Sequence, residues 1–83
     1  MDQQIGKITH YFDKIGVGVI EITDGALNIG DTIRVQGSGT DFQQTITSMQ
    51  IDRQEVQTAD KGQSIGLKVD QPVKEHDIVY KVA

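Results

Sequence analysis

Val17-Gly18-Val19-Ile20-Glu21-Ile22-Thr23-Asp24-Gly25, continued by Ala26-Leu27-Asn28-Ile29-Gly30-Asp31-Thr32-Ile33-Arg34-Val35, decides the fold class of this 83-residue chain. Six residues from Val17 are apolar on both faces for part of their length, which predicts a central strand. Gly18 inside it predicts a bulge or a close backbone approach. Asp24-Gly25 is a tight-turn pair. Leu27 and Ile29 follow, and Gly30-Asp31 turns the chain again. Thr32 to Val35 then reads as a further strand with Ile33 and Val35 inward. Two turns within so short a span leave no room for a helix and fit the short-strand rhythm of a sandwich or barrel.

The same rhythm extends outward. Ile5 to Phe12 predicts a first strand with Ile8 and Phe12 on one face, and Asp13-Lys14-Ile15-Gly16 predicts its turn. Tyr11 and Phe12 alternate across that strand. Gly37 to Asp41 is a loop. Phe42 to Asp52 predicts one long strand whose apolar parity shifts, from Phe42 and Ile46 to Met49 and Ile51, as a bulge or sharp bend requires. Asp52 to Asp60 has room for a helical turn. Ile65, Leu67 and Val69 alternate inward after the Lys61-Gly62 turn, Pro72 ends that strand, and Ile78 to Val82 closes the sheet. Composition agrees: Ile and Val number 19 against 5 Leu and Ala, and 7 Thr add to the β-branched count. Such side chains lose rotamer freedom in helices and fit a pleated surface. The expected architecture is all-β, a small closed antiparallel barrel in one domain spanning residues 1–83, since closure hides strand edges.

Composition also narrows function. There is no Cys, so neither disulfides nor thiolate metal sites contribute. Met1 to His10 has no basic-then-apolar leader, and no stretch approaches the ~18–20 apolar residues of a membrane span. A soluble, cytoplasmic protein without membrane contact is expected. Twelve acidic against 8 basic residues give a net charge of −4. That balance opposes affinity based on phosphate neutralisation.

One catalytic pattern stands out. Gly62-Gln63-Ser64-Ile65-Gly66 matches G-x-S-x-G, and Asp70 and His76 follow in hydrolase order. The nucleophile elbow needs a strand turning sharply into a helix. Here Ser64 opens a strand, so the match is a turn entering a strand. His10 and His76 lack metal-ligand spacing, and the Asp residues beside turns cap backbone donors. Gly16-Val17-Gly18 precedes a strand rather than the helix N-terminus that binds a dinucleotide pyrophosphate. The chain is expected to be no enzyme and to use no cofactor and no metal.

Ile15 to Ile33, with its Gly turns and Gly-Asp pair, resembles the second domain of translational GTPases such as elongation factor Tu. The resemblance continues through Ile46-Thr47-Ser48-Met49-Gln50-Ile51, Ala59 to Leu67, and Val69 to Val82. It implies a translation factor-like β-barrel of about six strands, standing alone. It also implies an RNA-binding role in protein biosynthesis, holding the tRNA acceptor end or contacting the ribosome. By that resemblance the binding residues are Gly16, Val17, Gly18, Gln50 and Arg53. No G-x-x-x-x-G-K-[S/T] loop is present, so GTP binding and hydrolysis do not carry over. Two other expectations stand beside it. One is a protein-interaction or assembly module, including a homodimer; the other is an accessory barrel acting with a separately encoded enzyme.

Overall fold

The computed structural model describes residues 3–82. They form ten strands: β1 (Gln3–Phe12), β2 (Val17–Ile22), β3 (Ala26–Asn28), β4 (Thr32–Gln36), β5 (Asp41–Thr45), β6 (Met49–Ile51), β7 (Gln54–Val56), β8 (Thr58–Asp60), β9 (Ser64–Lys68) and β10 (Ile78–Lys81). Eight make one antiparallel sheet in the order β5-β4-β10-β1-β2-β9-β6-β7, and β3 pairs with β8 as a separate ribbon. The architecture is an all-β half-barrel. The expected closed barrel of about six strands is corrected on strand number, for two local reasons. The long Phe42–Asp52 strand breaks at Ile46-Thr47-Ser48, where the apolar parity shifts, into β5 and β6. The Asp52–Asp60 segment, which has room for a helical turn, instead forms the hairpin turn after β6, then β7 and β8.

Inward residues follow the alternation. Ile20, Ile22, Ile33, Val35, Ile65, Leu67 and Val79 are all 1% exposed or less. Burying each such side chain contributes about 1.5–3 kcal/mol. One expected position is reversed. Ile8 is buried as read, but Phe12 faces solvent. The β1–β2 register shifts between Ile8 and His10, and one extra residue flips every later side chain to the opposite face. Tyr11 therefore packs against the core instead. Gly18, where a bulge or a close backbone approach is expected, is instead approached by side chains. A Cβ there would meet Val73 Cγ2 at 3.2 Å and Val69 Cγ1 at 3.4 Å.

The sheet curls until its β5 end reaches the chain leaving β9. Gln44 Nε2 donates to the Lys68 carbonyl at 2.9 Å, and Gln44 Oε1 accepts from the Asp70 amide at 2.8 Å. Ile46 and Gly30 add backbone hydrogen bonds between the end of β5 and the end of the β3 segment. No helix among the described residues is long and apolar enough to cross a membrane.

On the outer surface Arg34 grips Asp41 through two hydrogen bonds, Nε to Oδ1 at 2.9 Å and Nη2 to Oδ2 at 3.1 Å. The Arg34 hydrogen bond holds the Asp41 carboxyl below its ordinary value. A depressed carboxyl contributes stability above its unfolded pKa, about 3.9, and loses it as pH falls through the folded value. The difference in urea midpoint between wild type and Asp41→Asn is thus expected to be constant from pH 7 to about 5 and to close only below about 4. Because the pair is exposed, the difference is small. A gap that closes near pH 6 would refute the assignment.

Candidate functional site

The outer face of the half-barrel carries a row of directly paired residues across five strands: His10, Val19, Gly66, Gln50 and Glu55. Gly66 is its midpoint. With no side chain there, the row has a gap between Val19 and Gln50. The adjacent pair on β1 and β2 is Phe12 opposite Val17. Because of the β1 bulge, Phe12 lies on this outer face, and the His10 and Phe12 rings meet edge-on with centroids 4.3 Å apart.

Two turns raise walls beside the gap. The Asp13–Gly16 turn lifts Ile15 clear of the sheet; its ends are held by hydrogen bonds from the Ile15 and Gly16 amides to the Phe12 carbonyl. Gly16 takes φ 67°, a conformation open to glycine at little cost. On the other side, Ile51 pairs with Gln54, leaving Asp52-Arg53 as a two-residue hairpin loop. Both take left-handed backbone, φ 52° and 66°, as a type I′ turn requires. The result is a groove of about 540 Å³ lined by Phe12, Ile15, Val17, Val19, Gln50, Asp52, Arg53, Ser64, Ile65 and Gly66.

Of the five residues singled out from the sequence, Val17, Gln50 and Arg53 come together in this groove. Gly16 and Gly18 do not line it; Gly18 points to the core side. Phe12, Ile15, Val19, Asp52 and Gly66 were missed. Ile15 carries a usable signal, since a large apolar residue within a polar turn has nothing nearby to bury it. Phe12 carries none, because the parity of its strand points it inward until the bulge is known.

The groove holds a hydroxyl, that of Ser64, but no assembled nucleophile. Ser64 opens β9, which runs on as a strand paired with β2. No hydrogen bond joins it to either His among the described residues. His10 Nδ1 lies 3.7 Å from Glu75 Oε1, both exposed. No group of three or more His, Asp or Glu that could hold a metal occurs among the described residues. What the arrangement offers is an apolar trough with one cation and one carboxylate on its rim.

No family model matches the chain. It is 37% identical over 78 residues to an uncharacterised protease of Methanocaldococcus jannaschii, and 36% identical over 78 residues to a collagenase of Porphyromonas gingivalis. Each match covers 93% of this chain but only 19% and 22% of those proteins, so the chain spans about a fifth of the length of these curated relatives. Among solved structures it superposes on the C-terminal domain of a protein described as a U32 peptidase from Geobacillus thermoleovorans. The TM-score is 0.90 at 19% identity, covering 98% of this chain and 93% of that one. That likeness establishes the all-β fold. The translation-factor resemblance is thereby corrected, together with the elongation-factor and RNA-binding roles drawn from it. The homologues are proteases and collagenases, and the structural neighbour is a peptidase domain. The physical reason is that an ordered series of Gly turns and short strands is what any small curled sheet requires.

Proposed function

We propose that this chain is a non-catalytic accessory domain of a U32-family peptidase, one that engages polypeptide for a catalytic body instead of cutting it. One observation carries the reading: the match to the protease and collagenase relatives takes in nearly the whole chain and only about a fifth of theirs. The Geobacillus C-terminal domain, which superposes on 98% of this chain and is itself covered to 93%, forms this fold apart from the rest of its protein, as a separable module does. The groove supports a binding role, since Ser64 has neither the strand-to-helix elbow nor a hydrogen-bonded base that activates a nucleophile.

The test is a segment replacement. The matching segment of the Porphyromonas gingivalis collagenase is exchanged for this chain, or deleted, and kcat/KM on collagen is measured. The exchange is expected to retain activity within about threefold and the deletion to lose about tenfold or more, the range a lost positioning contact spans. In parallel, the purified chain is expected to release no peptides from collagen. Full activity after deletion, or peptide release by the chain alone that Ser64→Ala abolishes, would overturn the reading.

A further inference from the structure

Phe12, 47% exposed, and Ile15, 63% exposed, are the exposed large apolar side chains of the described residues. Both stand in the one groove. Singly exposed apolar residues are ordinary, but two gathered over a concave apolar floor mark a binding surface. Val17 and Val19 extend that floor, and Gly66 keeps it low.

The opposite wall shows a second sign. A type I′ turn favours Asn-Gly, yet this one holds Asp52-Arg53, with Arg53 at φ 66°. Keeping a bulky residue in left-handed backbone costs free energy and is concentrated at functional sites. No ion pair joins Arg53 to another described residue. Asp52 beside it leaves the rim neutral. The Arg53 guanidinium can still take one carboxylate by charge-assisted hydrogen bonds, whereas Asp52 and the chain's net charge of −4 oppose a polyanion.

We propose that the groove docks an extended peptide, seating one bulky apolar side chain against Phe12, Ile15, Val17 and Val19 and placing an adjacent carboxylate on Arg53. The choice of polypeptide as occupant rests on the accessory-domain reading above; the apolar and acidic requirements rest on the groove itself. Its volume, about 540 Å³, lies within the range of sites that enclose small ligands.

The experiment titrates the isotope-labelled 83-residue chain, followed by NMR, with acetyl-Gly-Ala-Leu-Glu-Ala-Gly-amide and with versions carrying Gly for Leu or Gln for Glu. Saturable shifts confined to residues 12–19, 50–53 and 64–66 are expected. The Gln peptide should bind about threefold to fivefold more weakly, the reach of an exposed charge pair. Arg53→Gly, which suits the left-handed turn and should fold at least as well, should lose the same factor on the Glu peptide and nothing on the Gln peptide. Gly66→Ala tests the trough. Its Cβ would lie 3.5 Å from Val17 Cγ1 and 4.0 Å from the Gln50 carbonyl, ordinary contacts. It should fold normally and bind every peptide more weakly, by about tenfold if the trough is tightly filled.

Four outcomes would overturn the inference. They are no saturable shift, shifts elsewhere on the sheet, equal loss on the Glu and Gln peptides in Arg53→Gly, or concentration-dependent shifts of the same residues without peptide, which would assign the groove to a second copy. Mass spectrometry of the peptide after titration separates the two readings. Cleavage would overturn the non-catalytic role while leaving the groove, and intact peptide without binding would overturn the groove while leaving the role.

Discussion

Gly6→Ala is expected to destabilise the domain by about 3 kcal/mol, at the upper end of the cost of overpacking. Gly6 lies in β1 between two partners, opposite Ile22 of β2 and Val79 of β10. A Cβ at this position would overlap the Glu21 carbonyl oxygen and come within 3.1 Å of Ile20 Cγ2. The obstructing atom is backbone in a paired strand, so no rotamer change relieves it. Shifting β1 away from β2 would press it against β10. It would also strain the corner where the Ile5 carbonyl accepts from the Thr23 and Asp24 amides at 2.8 and 3.2 Å. A chain of this length holds roughly 4–12 kcal/mol in total, so the loss is a large share. Gly66→Ala is the internal comparison: also glycine in a strand interior, but with room for a methyl, it should change the urea-derived stability by less than about 0.5 kcal/mol. Equal effects at the two sites would show that glycine's entropy, and not the close approach, governs both.

These two glycines also show how far the sequence could be read. Both occur in apolar strand patterns, and nothing in the one-letter string distinguishes a glycine required by a neighbouring carbonyl from one that leaves a trough. Strand positions were legible wherever alternation was unbroken, as in β4 and β9, because period two is set by the pleat. Legibility failed at irregularities. The bulge near Thr9 reversed Phe12, and the break at Ile46-Thr47-Ser48 divided one expected strand into two. Bulges depend on how two distant segments pair, which local residue preferences do not encode.

Only part of the groove was legible, and for a different reason from the one the resemblance supplies. Val17, Gln50 and Arg53 were marked by resemblance to a translation-factor pocket, and they share the groove because β2, β9 and β6 are adjacent in the sheet. That adjacency follows from the curled fold and carries no chemistry with it. The same scaffold can present any outer-face row to any partner, so the role had to come from the relatives and the rim chemistry from the residues present.

Gln44→Leu is expected to cost about 3 kcal/mol, because it leaves two backbone groups without partners at a cost of about 1–3 kcal/mol each. Gln44 points inward from β5 at a position the alternation reserves for an apolar residue, and it is only 8% exposed. Its amide does what no backbone pairing does there. The donor end satisfies the Lys68 carbonyl and the acceptor end satisfies the Asp70 amide. One side chain thus ties the β5 end of the sheet to the chain leaving β9, which then runs on to Val69 and Val73 against Gly18. Leucine matches the volume and should be neutral if burial alone mattered, so the substitution isolates the two hydrogen bonds. In a domain of this size the loss corresponds to a fall in melting temperature of about 15 °C. Gln44→Glu keeps the acceptor for Asp70 but faces the Lys68 carbonyl with a carboxylate. It should be at least as damaging near neutral pH and recover partly in acid, where a protonated carboxyl can donate to that carbonyl. A Gln44→Leu variant within 1 kcal/mol of wild type would mean that water replaces the amide at this junction, and that the curl of the half-barrel is set by the apolar core alone.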